Sequence, residues 1–154
     1  MKFSVNQQDL QKSLNYCQGV IEKRSTLPIL SNVLLEVSNA NLTITATDLD
    51  LIFIHKIPNV EISEEGKTTS SSSIMYDIVR KFSSGSKINF SNPSENKLHL
   101  ESDKSVFNLN CINASEFPLT EENFNENEFS IKSKELLKLL NKCKFSVSND
   151  ETRH

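Results

Sequence analysis

The chain opens with a strict alternation. In MKFSVN, Phe3 and Val5 alternate with polar neighbours, the period of a half-buried strand. The next stretch, QQDLQKSLNYCQGVIEK, carries Leu10, Leu14, Cys17 and Ile21 at steps of four, three and four. Those steps predict one apolar stripe on an amphipathic helix of about four turns. RSTLP ends the pattern, because Pro28 disfavours helix at the residue before it. Three strands are expected next: ILSNVLLEV, NLTITATD and LDLIFIHKI, separated by the turn residues of SNAN and the TDLD region. The middle one alternates Leu42, Ile44 and Ala46 with polar neighbours, as a half-solvated antiparallel strand does.

The same order then recurs. GKTTSS predicts a strand, and SSIMYDIVRKF a helix with Ile74, Met75, Ile78, Val79 and Phe82 on its apolar side. The serines at 70–73 suit the start of that helix as caps. SKINFS, NKLHLES and KSVFNLNCI predict three further strands, with NPSEN and SDK between them. NEFSIKS and KELLKLLNKCKFSV begin the order a third time, as a strand and a helix. Onsets near residues 1, 65 and 127 give a period of roughly 60 residues. Two such strand-helix-three-strand units predict an α+β fold with two antiparallel sheets and two helices. No strands come after the last helix, so the sequence is expected to end inside a second domain.

Composition changes this picture little. Hydrophobic residues make up 36% and charged residues 24%, an ordinary globular balance. No apolar run approaches the roughly 18 to 20 residues of a membrane span. MKFSVNQQDL lacks the apolar core of a signal peptide, and the reading is cytoplasmic. The sequons NLT and NAS carry no weight in that setting. Cys17, Cys111 and Cys143 are odd in number and widely spaced, which argues against a disulfide framework and a zinc site. His55, His99 and His154 are equally scattered, so buried thiols and incidental histidines are expected, with no metal or cofactor.

The net charge of −3 gives no global sign of nucleic-acid binding, but local distribution matters. Opposite its apolar stripe the first helix carries Gln8, Gln11, Lys12, Asn15 and Glu22, with Lys23 and Arg24 just beyond. The second carries Asp77, Arg80 and Lys81. The third carries Lys134, Lys138 and Lys142 every four residues, with Lys144 beside them, opposite Leu136, Leu140 and Cys143. One such face is an ordinary solvated surface. Three in a repeating architecture suit sequence-independent contact with phosphates, where Lys and Arg displace counterions. The aromatics fall mainly on apolar stripes and strands, which disfavours a single-strand stacking platform.

Catalysis has no comparable support. The sequence holds no nucleophile elbow, phosphate-binding loop, dinucleotide fingerprint or H-E-x-x-H helix. Asp48 and Asp50 in TATDLDL resemble a fragment of a carboxylate metal site, yet in a hairpin turn such residues satisfy backbone groups. The expectation is a protein without a catalytic site.

MKFSV, RSTLPILSNVLLEV, LTITATDLDL, EEGKTT, ASEFP and FSVSNDETR fall in the order found in the bacterial sliding clamps, the beta subunits of DNA polymerase III. The chain resembles that family along nearly its whole length, most specifically from Arg24 to Leu51. The resemblance implies the DNA-clamp fold, with sheets on the outer rim of a ring and helices facing a DNA channel. Residues 1–123 would be the N-terminal clamp domain, and 124–154 the strand and helix that begin the middle domain.

By the same resemblance, Arg24 and Arg153 match DNA-contacting arginines, while His154 stands where relatives often have tyrosine. Phe107 matches an aromatic at the ring interface. Lys104 lies near that edge, and Val106 replaces a basic residue common there. The implied partners are double-stranded DNA, the replicative polymerase, the clamp loader and a second copy in a head-to-tail homodimer. The cleft for polymerase and loader belongs to later domains. Two rival readings differ in class: an interaction module that borrows the fold without binding DNA, and a hydrolase or metal enzyme using Asp48 and Asp50.

Overall fold

A computed structural model of the chain describes residues 1–21, 27–119 and 129–147. It divides into two compact units, Met1–Leu119 and Thr120–His154. The first unit holds β1 (Lys2–Asn6), α1 (Gln7–Cys17), β2 (Asn32–Ser38), β3 (Asn41–Thr47), β4 (Ile52–Pro58) and β5 (Glu61–Glu64). It continues with β6 (Gly66–Ser71), α2 (Ser72–Val79), β7 (Lys87–Ser94), β8 (Lys97–Ser102) and β9 (Ser105–Asn110).

These strands form two antiparallel sheets, ordered β5-β1-β7-β8-β9 and β4-β3-β2-β6. The two repeats are interlocked, because each lends its first strand to the other's sheet. β1 pairs with β7, setting Phe3 opposite Phe90 with their rings stacked at 4.7 Å. β6 pairs with β2, setting Thr69 opposite Leu34. Each three-stranded repeat is therefore extended by a strand of the other.

The apolar periods drive this arrangement. Leu10, Leu14 and Cys17 of α1 and Met75 and Val79 of α2 are wholly buried. They join Val33, Leu35 and Val37 of β2, Leu42, Ile44 and Ala46 of β3, and Ile88 and Phe90 of β7 in one core. Each strand set is spaced by two and each helix set by three or four, so one face of every element is drawn inward.

Several boundaries differ from the sequence reading. α1 spans three turns, not four. Beyond Cys17 the bonds tighten to Gly19 N–H on the Tyr16 carbonyl and Val20 N–H on the Cys17 carbonyl. Gly19 and the β-branched Val20 and Ile21 are weak helix formers, which fits that end. Residues 29–31, expected as the start of a strand, instead form a 3₁₀ turn that begins on Pro28. The strand β5 was not expected; its sequence EISE offers only Ile62 to an apolar pattern.

Ser71 is the N-cap of α2 but makes no side-chain cap bond. The neighbouring hydroxyls reach elsewhere: Thr69 donates to the Ile112 carbonyl at 2.7 Å and Ser70 to the Asn110 carbonyl at 3.4 Å. Ile74 is exposed, because the buried stripe of this eight-residue helix centres on Met75 and Val79.

The second unit, described by itself, contains α3 (Ser133–Cys143) and then a 3₁₀ turn at Lys144–Ser146. The expected strand before α3 is not formed in residues 129–132, and the Phe129 side chain is exposed. Leu136, Leu137, Leu139 and Leu140 are exposed along α3, and Cys143 is a free, exposed thiol rather than a buried one. Among the described residues no helix is long and apolar enough to cross a membrane.

Candidate nucleic-acid interface

α1 and α2 lie against each other, and a buried amide joins them. Asn6 caps α1 by accepting the Gln8 N–H at 2.9 Å, which sets the first turn in place. In that turn Gln7 is almost wholly buried, and its side-chain NH₂ donates to the Val79 carbonyl at 2.9 Å and to Gln11 Oε1 at 2.7 Å. The first bond adds a second donor to a carbonyl at the end of α2 that also accepts the Phe82 N–H at 3.3 Å. Gln8 adds a second tie, from its NH₂ to the Ser84 hydroxyl at 2.7 Å.

The outer faces of the two helices enclose an open depression of about 500 Å³, lined by Gln8, Gln11, Lys12, Asn15, Tyr76 and Ser84. Lys12, Arg80 and Lys81 are exposed on these faces or directly after α2. Among the described residues neither Lys12 nor Lys81 has a carboxylate within 4.0 Å. Arg80 differs: its Nη2 lies 3.0 Å from Asp77 Oδ1, and its guanidinium is 5.9 Å from the centre of the Tyr76 ring. The surface thus offers two unpaired ammonium groups, one paired guanidinium and several neutral hydrogen-bonding groups. That chemistry suits phosphate oxygens.

The other candidate chemistries are otherwise engaged. Asp48 Oδ1 accepts the backbone N–H groups of Asp50 and Leu51 at 3.1 and 2.7 Å, as a turn residue does. Among the described residues no three His, Cys, Asp or Glu side chains come together as a metal site. Ser13 lies 2.8 Å from His55 Nδ1, but it is wholly buried and donates to the Asp9 carbonyl. A substrate cannot reach it. Burial pushes the Cys17 thiol up to about 12, and it also raises Cys111 against the opposing pull of a Thr68 hydrogen bond and the Lys97 charge. Neither thiol is poised as a nucleophile.

Of the expected DNA contacts, Lys12, Arg80 and Lys81 share the α1–α2 surface. Lys138 and Lys142 are exposed on α3 in the second unit, while Lys23, Arg24 and Arg153 lie outside the described residues, as does the neighbouring His154. At the expected ring edge, Phe107 is 37% exposed and packs edge-on against Phe82 at 5.8 Å. Val106 beside it is exposed, as is Lys104 in the turn between β8 and β9.

Sequence reasoning missed Gln7, Tyr76 and Ser84. Gln7 left a faint signal: a polar residue one turn before Leu10 and Leu14, on their stripe. Tyr76 and Ser84 left none, since their place depends on how the two helices meet.

Residues 1–121 match the family described as DNA polymerase III beta subunit, N-terminal domain. The beta sliding clamp of Caulobacter vibrioides is 33% identical over 155 residues, covering 100% of this chain and 41% of the relative. The beta sliding clamp of Escherichia coli K12 is 32% identical over 154 residues, covering 100% of this chain and 42% of the relative. Among solved structures, the pol III beta of Caulobacter crescentus superposes with a TM-score of 0.93 at 33% identity, covering 100% of this chain and 41% of that one. The chain thus spans about two fifths of the length of these relatives. With the sequence match across the first unit and the superposition across the whole chain in agreement, this chain belongs to the DNA polymerase III beta subunit family, the bacterial sliding clamps.

Proposed function

We propose that this chain supplies the N-terminal part of a processivity ring for the replicative polymerase. In that reading α1 and α2 face duplex DNA, and residues 124–154 begin a middle domain whose α3 continues the same lining. The observation that carries it is the α1–α2 surface itself: exposed Lys12 and Lys81 without carboxylate partners among the described residues, set among amides and hydroxyls.

The mechanism is topological. A closed ring stays on duplex DNA by linkage, so its phosphate contacts can be few and weak. Sequence-blind contacts of that kind permit sliding, while the tether raises the effective concentration of polymerase at the primer end. Base-specific contacts would arrest it. The chain needs no catalytic group, metal or cofactor for this work, which takes place in the cytoplasm.

Arg24 and Arg153 would add phosphate contacts, with Lys23, Lys138 and Lys142. Exposed Phe107, its partner Phe82 and Lys104 would meet the other copy in a head-to-tail homodimer. Polymerase and clamp loader would dock on domains beyond this chain.

The test is the affinity of the 154-residue chain for two duplexes of unrelated sequence across a salt series. The expected result is weak, equal binding to both, with Lys12→Glu and Lys81→Glu each weakening it and lowering the logarithmic salt slope by about one. Indifference to both substitutions would favour the interaction-module reading instead.

A further inference from the structure

We propose that Asp77 is a built-in counter-charge to Arg80, so that Arg80 takes a DNA phosphate only by releasing a carboxylate it already holds. This rests on the DNA-facing reading of α1 and α2 and adds a residue that sets how weak the contact is. Asp77 sits in the last turn of α2, where the helix dipole makes a negative charge unfavourable. Among the described residues it caps no helix end and accepts no backbone hydrogen bond. Its one partner there is Arg80, three residues on and 3.0 Å away. The position is poor for the helix and useful to the arginine.

Arg80 is held as well as paired. Its backbone N–H is bonded to the Tyr76 carbonyl at 3.0 Å, which fixes its Cα at the end of α2. Its guanidinium lies over the Tyr76 ring, and Tyr76 lines the depression between the helices. A guanidinium within cation–π range of a ring is drawn toward that face, and its planar fork suits a carboxylate or a phosphate alike.

The ion pair is half exposed, with side chains 50% and 60% accessible, so water screens it and breaking it costs little. Arg80 is therefore available to a phosphate but never as strongly as a free arginine. Asp77 also repels any phosphate that approaches. Both effects lower affinity at the one arginine of the described α1–α2 surface, and a surface that must slide needs contacts that release readily.

The experiment is a double-mutant cycle on the 154-residue chain, binding one duplex across a salt series: Asp77→Asn, Arg80→Gln and both together. Asp77→Asn should tighten binding about two- to fivefold at low salt, the range set by an exposed ion pair. It should also steepen the logarithmic salt slope by at most about 0.9, the value for one whole phosphate contact, because the carboxylate no longer competes for Arg80. In the Arg80→Gln background most of the gain should be lost, leaving only the part that comes from relieved repulsion between Asp77 and phosphate. A gain of equal size in that background would overturn the proposal, because Asp77 would then act only through net charge. No gain from Asp77→Asn, with Lys12→Glu and Lys81→Glu still weakening binding, would overturn it and leave the DNA-facing reading standing. If the lysine variants also have no effect, that reading fails and the proposal fails with it. Far-ultraviolet circular dichroism checks that α2 is intact in each variant.

Discussion

α1 and α3 are helices of equal length and similar pattern with opposite fates. Each has eleven residues and a leucine stripe opposite a polar face. On α1, Leu10 and Leu14 are wholly buried; on α3, Leu136 and Leu140 are 43% and 58% exposed. The difference lies in the cover each helix has among the described residues of its own unit. The leucines of α1 share a core with strands of both sheets, whereas the described part of the second unit holds, besides α3, a 3₁₀ turn. An amphipathic pattern declares which face a helix would bury, and the cover must come from elsewhere in the fold. Helix stability in proteins comes mainly from that cover.

This contrast can be broken directly. Leu14→Ala should cost about 2–5 kcal/mol in urea unfolding, the range for truncating a fully buried leucine. Leu140→Ala should stay within about 0.5 kcal/mol, as surface changes do. A large loss from Leu140→Ala would mean that α3 has cover in solution and that the contrast is false.

A smaller effect sharpens the same contrast through Cys17. The Cys17 thiol ionises near 9 in the unfolded chain and is pushed up to about 12 by burial in α1. Its contribution to stability is complete below pH 9 and is lost as pH rises from there toward 12. Unfolding free energy should therefore decline in that window with a slope approaching 1.4 kcal/mol per pH unit from this group alone. Cys17→Ala should flatten the slope. An unaltered slope in Cys17→Ala would show that burial of α1 does not govern the thiol.

The α+β class, the two antiparallel sheets and the three helices were legible in the sequence, because each rests on a local period. Phe3 and Val5, Leu42 and Ile44, and Leu10 and Leu14 each declare an inward face without reference to anything distant. The exchange of β1 and β6 between repeats was not legible, since pairing Phe3 with Phe90 across 87 positions leaves no periodic trace. β5 escaped because a four-residue edge strand with one apolar residue looks like a loop.

At the candidate site the cations were readable one by one as exposed positions on helices. Their inequality was not. Only the structure sets Arg80 against Asp77 and Tyr76 while leaving Lys12 and Lys81 without carboxylates among the described residues. Gln7 shows the same limit: its partner Val79 lies 72 positions away.

The central claim is that the α1–α2 face meets duplex DNA. Its most direct test is the backbone amide NMR spectrum of the 154-residue chain, titrated with a short duplex. The account expects shifts grouped on Gln8, Gln11, Lys12, Asn15, Tyr76, Arg80 and Lys81, fading as salt is raised. Shifts confined to the outward positions of β7 and β8, such as Asn89 and His99, with α1 and α2 unmoved, would contradict it.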